Sequence, residues 1–208
     1  MIRLALPKGR NLETALEAFR AAGVGFDGLE AADRRLQASF AEDGFEVVFL
    51  KDWDVPLYVQ QGIADWGVVG SDVIEELDGD LLVPARFNRG LSRLSLIGRE
   101  GALPQPGQQV RLASKYVATA RRVVSGRPWG AEILKLHGSV ELAPLLDLAD
   151  LALDIVQTGR TIRDNDLHEL ETVGRVAPCL VVNRGAYQLH REALNRLLDR
   201  FEEVEVVD

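Results

Sequence analysis

The 208-residue sequence lacks the features of an exported, membrane-spanning or nucleic-acid-binding protein. Its one cysteine, Cys179, excludes an internal disulfide and lies in an apolar run that predicts a buried thiol. Acidic residues outnumber basic ones by 32 to 24, and the net charge of −8 argues against broad attraction to nucleic acid or an anionic membrane. No apolar run is long enough to cross a bilayer, and no basic flank precedes a long apolar segment at the N-terminus. These absences predict a cytoplasmic protein without a targeting signal.

The apolar content, 47% of the residues, is ordinary for a chain that folds around a packed core. Short β-rich runs alternate with amphipathic stretches of helical period along the sequence, without repeats or low-complexity segments. This alternation is typical of an α/β protein with largely parallel sheets. The length permits one large domain or two small ones.

Residues 151–165, LALDIVQTGRTIRDN, are the most informative stretch about function. The apolar run predicts a buried strand, and Gly159 ends it where the backbone needs an unusual dihedral or a ligand comes close. Thr161 is predicted to cap the following helix, with Asp164 completing a capping box. A strand that passes through a glycine turn into a helix start directs backbone N–H groups and a positive dipole end towards one point, which suits a phosphate.

The side chains of this turn suit a sugar phosphate. The hydroxyls of Thr158 and Thr161 add hydrogen-bond donors for an anion. Asp154 would repel a phosphate, but its carboxylate can hold sugar hydroxyls or a phosphate-bound magnesium ion. The same residues could also form a strand, a tight turn and a helix cap with no ligand, because short phosphate-loop patterns often arise by chance. The turn by itself leaves both interpretations open.

A second group of candidates follows the first predicted strand. Residues 2–6 predict that strand, residues 7–10, PKGR, predict a turn, and Asn11 is predicted to cap a helix. Lys8 and Arg10 then stand at the carboxyl end of the strand, where open α/β sheets bind their ligands. Two solvated surface residues are the alternative interpretation.

Other turns add candidates. A second glycine turn, HGSVELAP at residues 137–144, contains Glu141 at a helix start. A glutamate is also favourable in the first turn of any helix, so Glu141 need not bind a ligand. His137, a single histidine at a strand end, is more often structural than catalytic. Capping residues after β-rich runs predict three further helix starts, at Asp54, at Ser71 or Asp72, and at Ser114.

Several of these strings together resemble the ATP phosphoribosyltransferase family. Residues 151–165 resemble its phosphoribosyl pyrophosphate loop. Three other strings also resemble the family's pattern: LPKGR near the N-terminus, DVPLYVQQGIADWGVVGSD at residues 54–72, and GSVELAPLL. Nucleobase phosphoribosyltransferases have two adjacent acids in the loop, so Leu153 before Asp154 argues against that group. Lys51 stands where family members often have an arginine, and a lysine keeps the charge but loses the bidentate geometry.

The resemblance implies a fold of two α/β lobes similar to type II periplasmic binding proteins, with mixed, largely parallel sheets. Residues 1–90 with 180–208 would form lobe I on the ATP side, residues 91–179 would form lobe II with the ribosyl-donor loop, and the active site would lie in the cleft. The implied reaction is the first step of histidine biosynthesis. In that reaction N1 of ATP attacks C1 of phosphoribosyl pyrophosphate and pyrophosphate leaves.

The resemblance also implies roles for individual residues. The turn of Thr158, Gly159, Arg160 and Thr161 would hold the 5-phosphate, and Asp154 and Glu141 would hold the ribose hydroxyls. Asp72 would contact ATP, and Mg²⁺ would arrive on the substrate phosphates. The cations expected at the phosphates and the leaving group are Lys8, Arg10, Arg34 and Lys51.

The sequence stops at Asp208, soon after the last family motif, and so resembles the short form of the family. Short forms work with a separate regulatory subunit resembling histidyl-tRNA synthetase. We therefore expect a homodimer within a hetero-oligomer, and feedback inhibition by histidine through the partner. The alternative from another functional class is a bilobal small-molecule binding or sensory module without catalysis.

Overall fold

The computed structural model describes residues 1–29, 35–201 and 204–206. The chain divides into two compact units. Unit 1 comprises Met1–Ile74, Asp78–Gly90 and Ala177–Asp208, and unit 2 comprises Glu75–Leu77 and Leu91–Val176. Each unit contains its own β-sheet.

Strands and helices alternate along most of the chain. The strands are β1 (Ile2–Pro7), β2 (Gln37–Phe40), β3 (Phe45–Leu50), β4 (Trp66–Gly70), β5 (Leu82–Phe87), β6 (Ser92–Gly98), β7 (Gln109–Ser114), β8 (Gly130–Lys135), β9 (Leu151–Val156), β10 (His168–Val176), β11 (Pro178–Val182) and β12 (Val204–Val206). The helices are α1 (Arg10–Ala21), α2 (Val55–Gln60), α3 (Ser71–Leu77), α4 (Val117–Ser125), α5 (Leu142–Leu145), α6 (Arg160–Asp164) and α7 (Arg184–Leu198), and a 3₁₀ turn covers Asp52–Asp54.

The sheet of unit 1 has the order β12-β5-β11-β4-β1-β3-β2. Its centre is the parallel trio β4, β1 and β3. The added strands are antiparallel: β11 pairs with β4 and β5, β12 with β5, and β2 with β3. Because the carboxyl ends of three parallel strands meet at one edge, residues that directly follow β1, β3 and β4 are brought together there.

The sheet of unit 2 has the order β10-β6-β9-β7-β8. It too contains a parallel trio, with β7 between β8 and β9. The strands β6 and β10 extend it in antiparallel fashion on the β9 side. The predicted α/β class with mixed sheets is confirmed.

An aromatic cluster organises the core of unit 1. The stripe of α1 predicted from its apolar spacing is buried, and its last member, Phe19, has no exposed surface. The Phe19 ring centroid lies 5.5 Å from that of Phe26, 6.0 Å from Phe45 and 5.4 Å from Phe201. Such tilted and edge-on pairs add to the stabilisation from apolar burial. These contacts fix α1, and hence the turn before it, against the sheet.

The core of unit 2 anchors both sides of the turn after β9. Val156 at the end of β9 and Ile162 in α6 belong to one buried cluster with Ala152 and Ala143. The turn between Val156 and Ile162 is therefore held at both ends by apolar burial, which contributes about 1.5–3 kcal/mol for each fully buried aliphatic side chain.

Most predicted helix starts are displaced towards the preceding strand. Helix α1 begins at Arg10 with Gly9 at the N-cap, so Asn11 lies within the first turn. Helix α3 begins at Ser71 with Gly70 at the N-cap, so neither Ser71 nor Asp72 caps it. Gly9 has a φ of 86°, which a residue with a side chain rarely adopts, and this allows the chain to turn into the helix at once.

Ser114 also has a different role from the predicted cap. Helix α4 begins at Val117, with Tyr116 at its N-cap. The Ser114 hydroxyl donates to the carbonyl of Leu153 at 2.8 Å and accepts from the Tyr116 N–H at 3.0 Å. It therefore ties β7 to β9 instead of starting the helix.

The chain passes between the units after Gly90 and again before Ala177. Strand β11 begins at Pro178, and its Pro178 and Cys179 pair with β4. Cys179 is buried, as its apolar surroundings predicted. Within the described part of the chain, no helix is long and apolar enough to cross a membrane.

Candidate active site

The turn after β9 has the geometry of a strand that reverses directly into a helix. Gly159 adopts a left-handed φ of 67° and forms the N-cap of α6. A Cβ added at Gly159 would also lie 3.1 Å from the Arg163 guanidinium. Thr158 Oγ1 lies 3.4 Å from the backbone nitrogen of Arg160, which donates to it. The dihedral therefore favours glycine here, and a Cβ would in addition require the flexible Arg163 side chain to shift.

The predicted capping box in this turn is wrong. Thr161 is the second residue of α6, and its carbonyl accepts from the Asn165 side-chain amide at 2.8 Å. Arg160 is exposed and its Nε lies 3.4 Å from the Asp164 carboxylate. Since Gly159 makes the turn, the hydroxyl of Thr161 is not used as the helix cap.

Asp154 lies near the end of β9 with its side chain mostly buried. Its Oδ1 accepts from the Ile155 N–H at 2.8 Å and lies 3.4 Å from Lys115 Nζ. Lys115 directly follows β7, the parallel neighbour of β9, and its Nζ is 4.8 Å from the centroid of the Tyr116 ring. Lys115 was not among the residues predicted for the site. The feature that could have identified Lys115 is its position directly after β7, since that strand pairs with β9, which carries Asp154.

A second ion pair lies on the antiparallel side of β9. Glu169 on β10 accepts from Arg93 Nε at 2.7 Å and Nη2 at 2.8 Å, from Ser95 Oγ at 2.7 Å and from Thr172 Oγ1 at 3.0 Å. The Arg93 hydrogen bonds are the largest cause that lowers the pKa of Glu169 from 4.5 to about 2, and the pair raises the pKa of Arg93. Ser95 is the cross-strand partner of Asp154. This network sets the register of β10 and β6 beside the site.

Glu141 immediately precedes α5 and is half-buried, next to the buried Val140. Helix α5 packs against β9, so the structure places Glu141 at the start of a helix that contacts the strand of Asp154. A carboxylate at a helix start is favoured by the dipole, which is compatible with either role considered for it.

In unit 1, Lys8 and Lys51 lie side by side along the sheet edge. Lys8 follows β1 and its N–H donates to the carbonyl of Leu50, the last residue of the parallel strand β3, at 3.0 Å. Both lysine side chains are exposed. Two neighbouring ammonium groups at the carboxyl ends of parallel strands suit an anion.

Three polar side chains lie in residues that follow β1, β3 and β4, at the same edge of the sheet. A Cβ added at Gly70 would lie 2.1 Å from Asp72 Oδ1 and 3.8 Å from Asn11 Nδ2, so the carboxylate and the amide both cover Gly70. Asn11 Nδ2 donates to Asp52 Oδ2 at 3.2 Å. Asn11 and Asp52 were not among our candidates for ligand binding. The feature that could have identified both residues is that each follows a strand of the parallel trio, where ligands bind.

The structure gives little information about the two remaining predicted cations, Arg10 and Arg34. Arg10 is the first residue of α1, at the carboxyl end of β1 where it was expected. Arg34 lies outside the described residues.

The arrangement of strands and helices defines a bilobal α/β class. The structure is similar to that of the periplasmic aliphatic sulphonate binding protein SsuA from Escherichia coli, with a TM-score of 0.60 over 96% of this chain and 70% of that chain. The sequence identity of 10% makes this a likeness of fold alone. The predicted similarity to periplasmic binding proteins is thereby confirmed.

The chain belongs to the ATP phosphoribosyltransferase family. Residues 51–203 match the family model described as HisG: ATP phosphoribosyltransferase. An ATP phosphoribosyltransferase of Sorangium cellulosum is 41% identical, with 96% of this chain and 93% of the relative covered. One from Thermus thermophilus is 39% identical, with 98% and 96% covered. The family consists of pentosyltransferase enzymes, so the predicted family and enzyme class are confirmed.

A solved structure agrees with the sequence comparison. The chain resembles a chain of the ATP phosphoribosyl transferase (HisG:HisZ) complex from Thermotoga maritima, with a TM-score of 0.79 and 32% identity. The superposition covers 96% of this chain and 98% of that chain.

Proposed function

We propose that this chain transfers the phosphoribosyl group of phosphoribosyl pyrophosphate to N1 of ATP and releases pyrophosphate, the first step of histidine biosynthesis. Family membership supports the reaction. The observation that supports a donor site in this chain is the turn after β9, where Gly159 at φ 67° turns the backbone into α6, five residues after Asp154 near the end of the strand. The binding-module alternative has no comparable support.

The donor is assigned to unit 2. The backbone N–H groups and hydroxyls of Thr158, Gly159, Arg160 and Thr161 bind the 5-phosphate in this proposal, as anion sites at such turns do. Asp154 and Glu141 accept hydrogen bonds from the ribose hydroxyls. In the described part of the chain Asp154 Oδ2 accepts no hydrogen bond, whereas Oδ1 is already engaged.

The leaving group requires positive charge. Bond breaking at C1 gives the ribose oxocarbenium character and increases the charge on pyrophosphate, so catalysis depends on alignment and on neutralising that charge. We assign Lys8, Lys51 and Arg10 to this task, with Arg34 as a further candidate. Lys51 supplies a point charge and not a bidentate fork.

Magnesium is proposed to arrive with the donor, since pyrophosphate oxygens are ligands that Mg²⁺ prefers. It would supply further neutralisation of the leaving group.

A second assignment concerns ATP, which we place with Asp72. Its carboxylate covers Gly70, the last residue of β4, at the carboxyl end of the parallel trio. A purine amino group can donate a hydrogen bond to such a carboxylate.

The decisive experiment is an assay of pyrophosphate release by the purified chain with ATP, phosphoribosyl pyrophosphate and magnesium. We expect release that requires all three and yields one phosphoribosyl-ATP for each pyrophosphate. Thermal shift separates the alternative: a binding module would respond to a metabolite without magnesium and would turn nothing over. Absence of product in the presence of a partner subunit as well would contradict the proposal.

We also infer a regulatory partner. The similar Thermotoga maritima chain belongs to a HisG:HisZ complex, and the superposition covers 98% of that chain. A corresponding subunit, resembling histidyl-tRNA synthetase, would bind a homodimer of this chain and bring histidine control to it.

A further inference from the structure

A carboxylate beside a phosphate turn presents an electrostatic difficulty. The Asp154 side chain is only 18% exposed. Removal of water strengthens the repulsion between its charge and any phosphate bound at the following turn. A buried charge is also costly unless it is paired. An acid at this position therefore needs a compensating cation.

Lys115 is positioned to compensate this charge. Its Nζ lies 3.4 Å from Asp154 Oδ1, and the lysine side chain is 29% exposed. The backbone sets this distance, because β7 and β9 are parallel with Ser114 in register with Leu153. The Ser114 hydroxyl donates to the Leu153 carbonyl at 2.8 Å, which locks the two strands immediately before Lys115 and Asp154.

Tyr116 provides a second anchor for the ammonium group. Lys115 Nζ lies 4.8 Å from the centroid of the Tyr116 ring, within cation–π range. The ring is itself buried, at 2% exposure, so it is a rigid wall beside the lysine. The ring and the carboxylate together hold the ammonium group beside Asp154 instead of letting it extend into solvent.

We propose that Lys115 is a positioning residue for donor binding, acting through Asp154. The ammonium holds Oδ1, so Oδ2 faces the ribose hydroxyls, and its charge offsets the repulsion between Asp154 and the 5-phosphate. This inference rests on the proposed phosphoribosyl transfer. No proton or covalent bond is exchanged by Lys115 in this role.

The test compares Lys115→Met, which keeps the length of the chain, with Lys115→Arg, which keeps the charge. We expect Lys115→Met to raise the KM for phosphoribosyl pyrophosphate about 10- to 100-fold, because it leaves the largely buried charge of Asp154 uncompensated. The kcat and the KM for ATP should stay within about 2-fold, and Lys115→Arg should recover most of the donor affinity. The matched control is Lys135→Met on the neighbouring strand β8, which is exposed and should change neither constant.

A double variant shows whether the effect passes through Asp154. With Asp154→Asn already present, adding Lys115→Met should cost little more, because their effects are coupled. Calorimetric titration with phosphoribosyl pyrophosphate separates this inference from the proposed function. If wild type releases pyrophosphate but Lys115→Met keeps wild-type donor affinity, only the role of Lys115 is wrong. If wild type neither binds the donor nor releases pyrophosphate, both proposals are wrong. Should Lys115→Met fail to fold, Lys115→Gln provides the same comparison.

Discussion

At the scale of single residues, the proposed donor site is expected to depend on two positions that cannot be exchanged for similar ones. Asp154 combines a fixed oxygen, which accepts from Ile155 and faces Lys115, with a second oxygen that stays available. Gly159 combines a left-handed φ with a crowded Cβ direction. We expect the first position to require a charge and the second to require the absence of a side chain.

The charge of Asp154 is tested by Asp154→Asn. We expect the affinity for phosphoribosyl pyrophosphate to fall at least about 10-fold, because a neutral amide accepts hydroxyl hydrogen bonds less strongly than a carboxylate. The thermal midpoint should change little, since the amide oxygen can still accept from Ile155. Donor titration and thermal denaturation of the same preparation measure the two effects. Donor kinetics like those of wild type in a folded variant would remove Asp154 from the site.

The backbone requirement is tested by Gly159→Val. A left-handed residue with a β-branched side chain is strained by at least about 1–2 kcal/mol, and the side chain would occupy the phosphate position. We expect donor binding to be lost and the folded protein to be destabilised. The matched control is Gly126→Val, at a φ of −91° with its nearest neighbour atom 3.9 Å from the added Cβ. Equal donor affinity in the two variants would contradict the assignment of the turn.

At the scale of secondary-structure elements, β10 is held to β6 by the Arg93 and Glu169 pair. In the folded protein the pKa of Glu169 is about 2, below its ordinary 4.5, because Arg93 hydrogen-bonds the ionised form. The pair therefore stabilises the fold fully above the ordinary carboxyl pKa. This stabilisation is lost as the pH falls from about 4.5 through about 2.

The pH dependence of unfolding checks this pair. Glu169→Gln should have a lower denaturant midpoint than wild type at pH 7, and the difference should narrow steadily below about pH 4.5. Glu192→Gln, at a position 92% exposed on α7, is the control and should show a small difference at every pH. A difference between wild type and Glu169→Gln that stays constant down to pH 3 would show that the ion pair does not stabilise the sheet.

Helix starts are the element-scale feature that sequence reasoning predicted least well. Residues with capping side chains were chosen at Asn11, Thr161 and Ser114, but glycine at the strand end begins α1 and α6, and Ser114 bonds to a neighbouring strand. A capping side chain is a local preference of about 1 kcal/mol, and a sharp turn imposed by two packed elements overrides it. Asn183 is a cap in the usual sense, because its side chain accepts from the N–H groups of Gly185 and Ala186.

At the scale of the whole molecule, regulation is expected to come from a second chain. A ligand shifts an equilibrium only by its different affinity for the two states, so a partner that binds histidine can control this chain only if it binds two states of this chain differently. The similar chain in the HisG:HisZ complex is the precedent for such a partner. This chain would then supply the catalysis and the partner the control.

Histidine titration of the activity, with and without the partner subunit, tests this division. We expect inhibition only in the presence of the partner, and about 5- to 150-fold weaker substrate affinity at saturation, the usual range of allosteric coupling. An isolated chain inhibited strongly by histidine would show that the regulatory site lies in this chain.

The sequence by itself determined the local features and the family. Residues 151–156 form the expected strand because an apolar run between turn residues has few other stable conformations, and Gly159 takes the φ that other residues avoid. Tertiary structure alone decided which strands are neighbours. Lys115 meets Asp154 because β7 pairs with β9, and Arg93 meets Glu169, 76 residues away, because β6 pairs with β10. Alternation along a strand predicts which face a side chain occupies, but strand order results from packing over the entire unit, so these charge pairs could not be deduced from spacing.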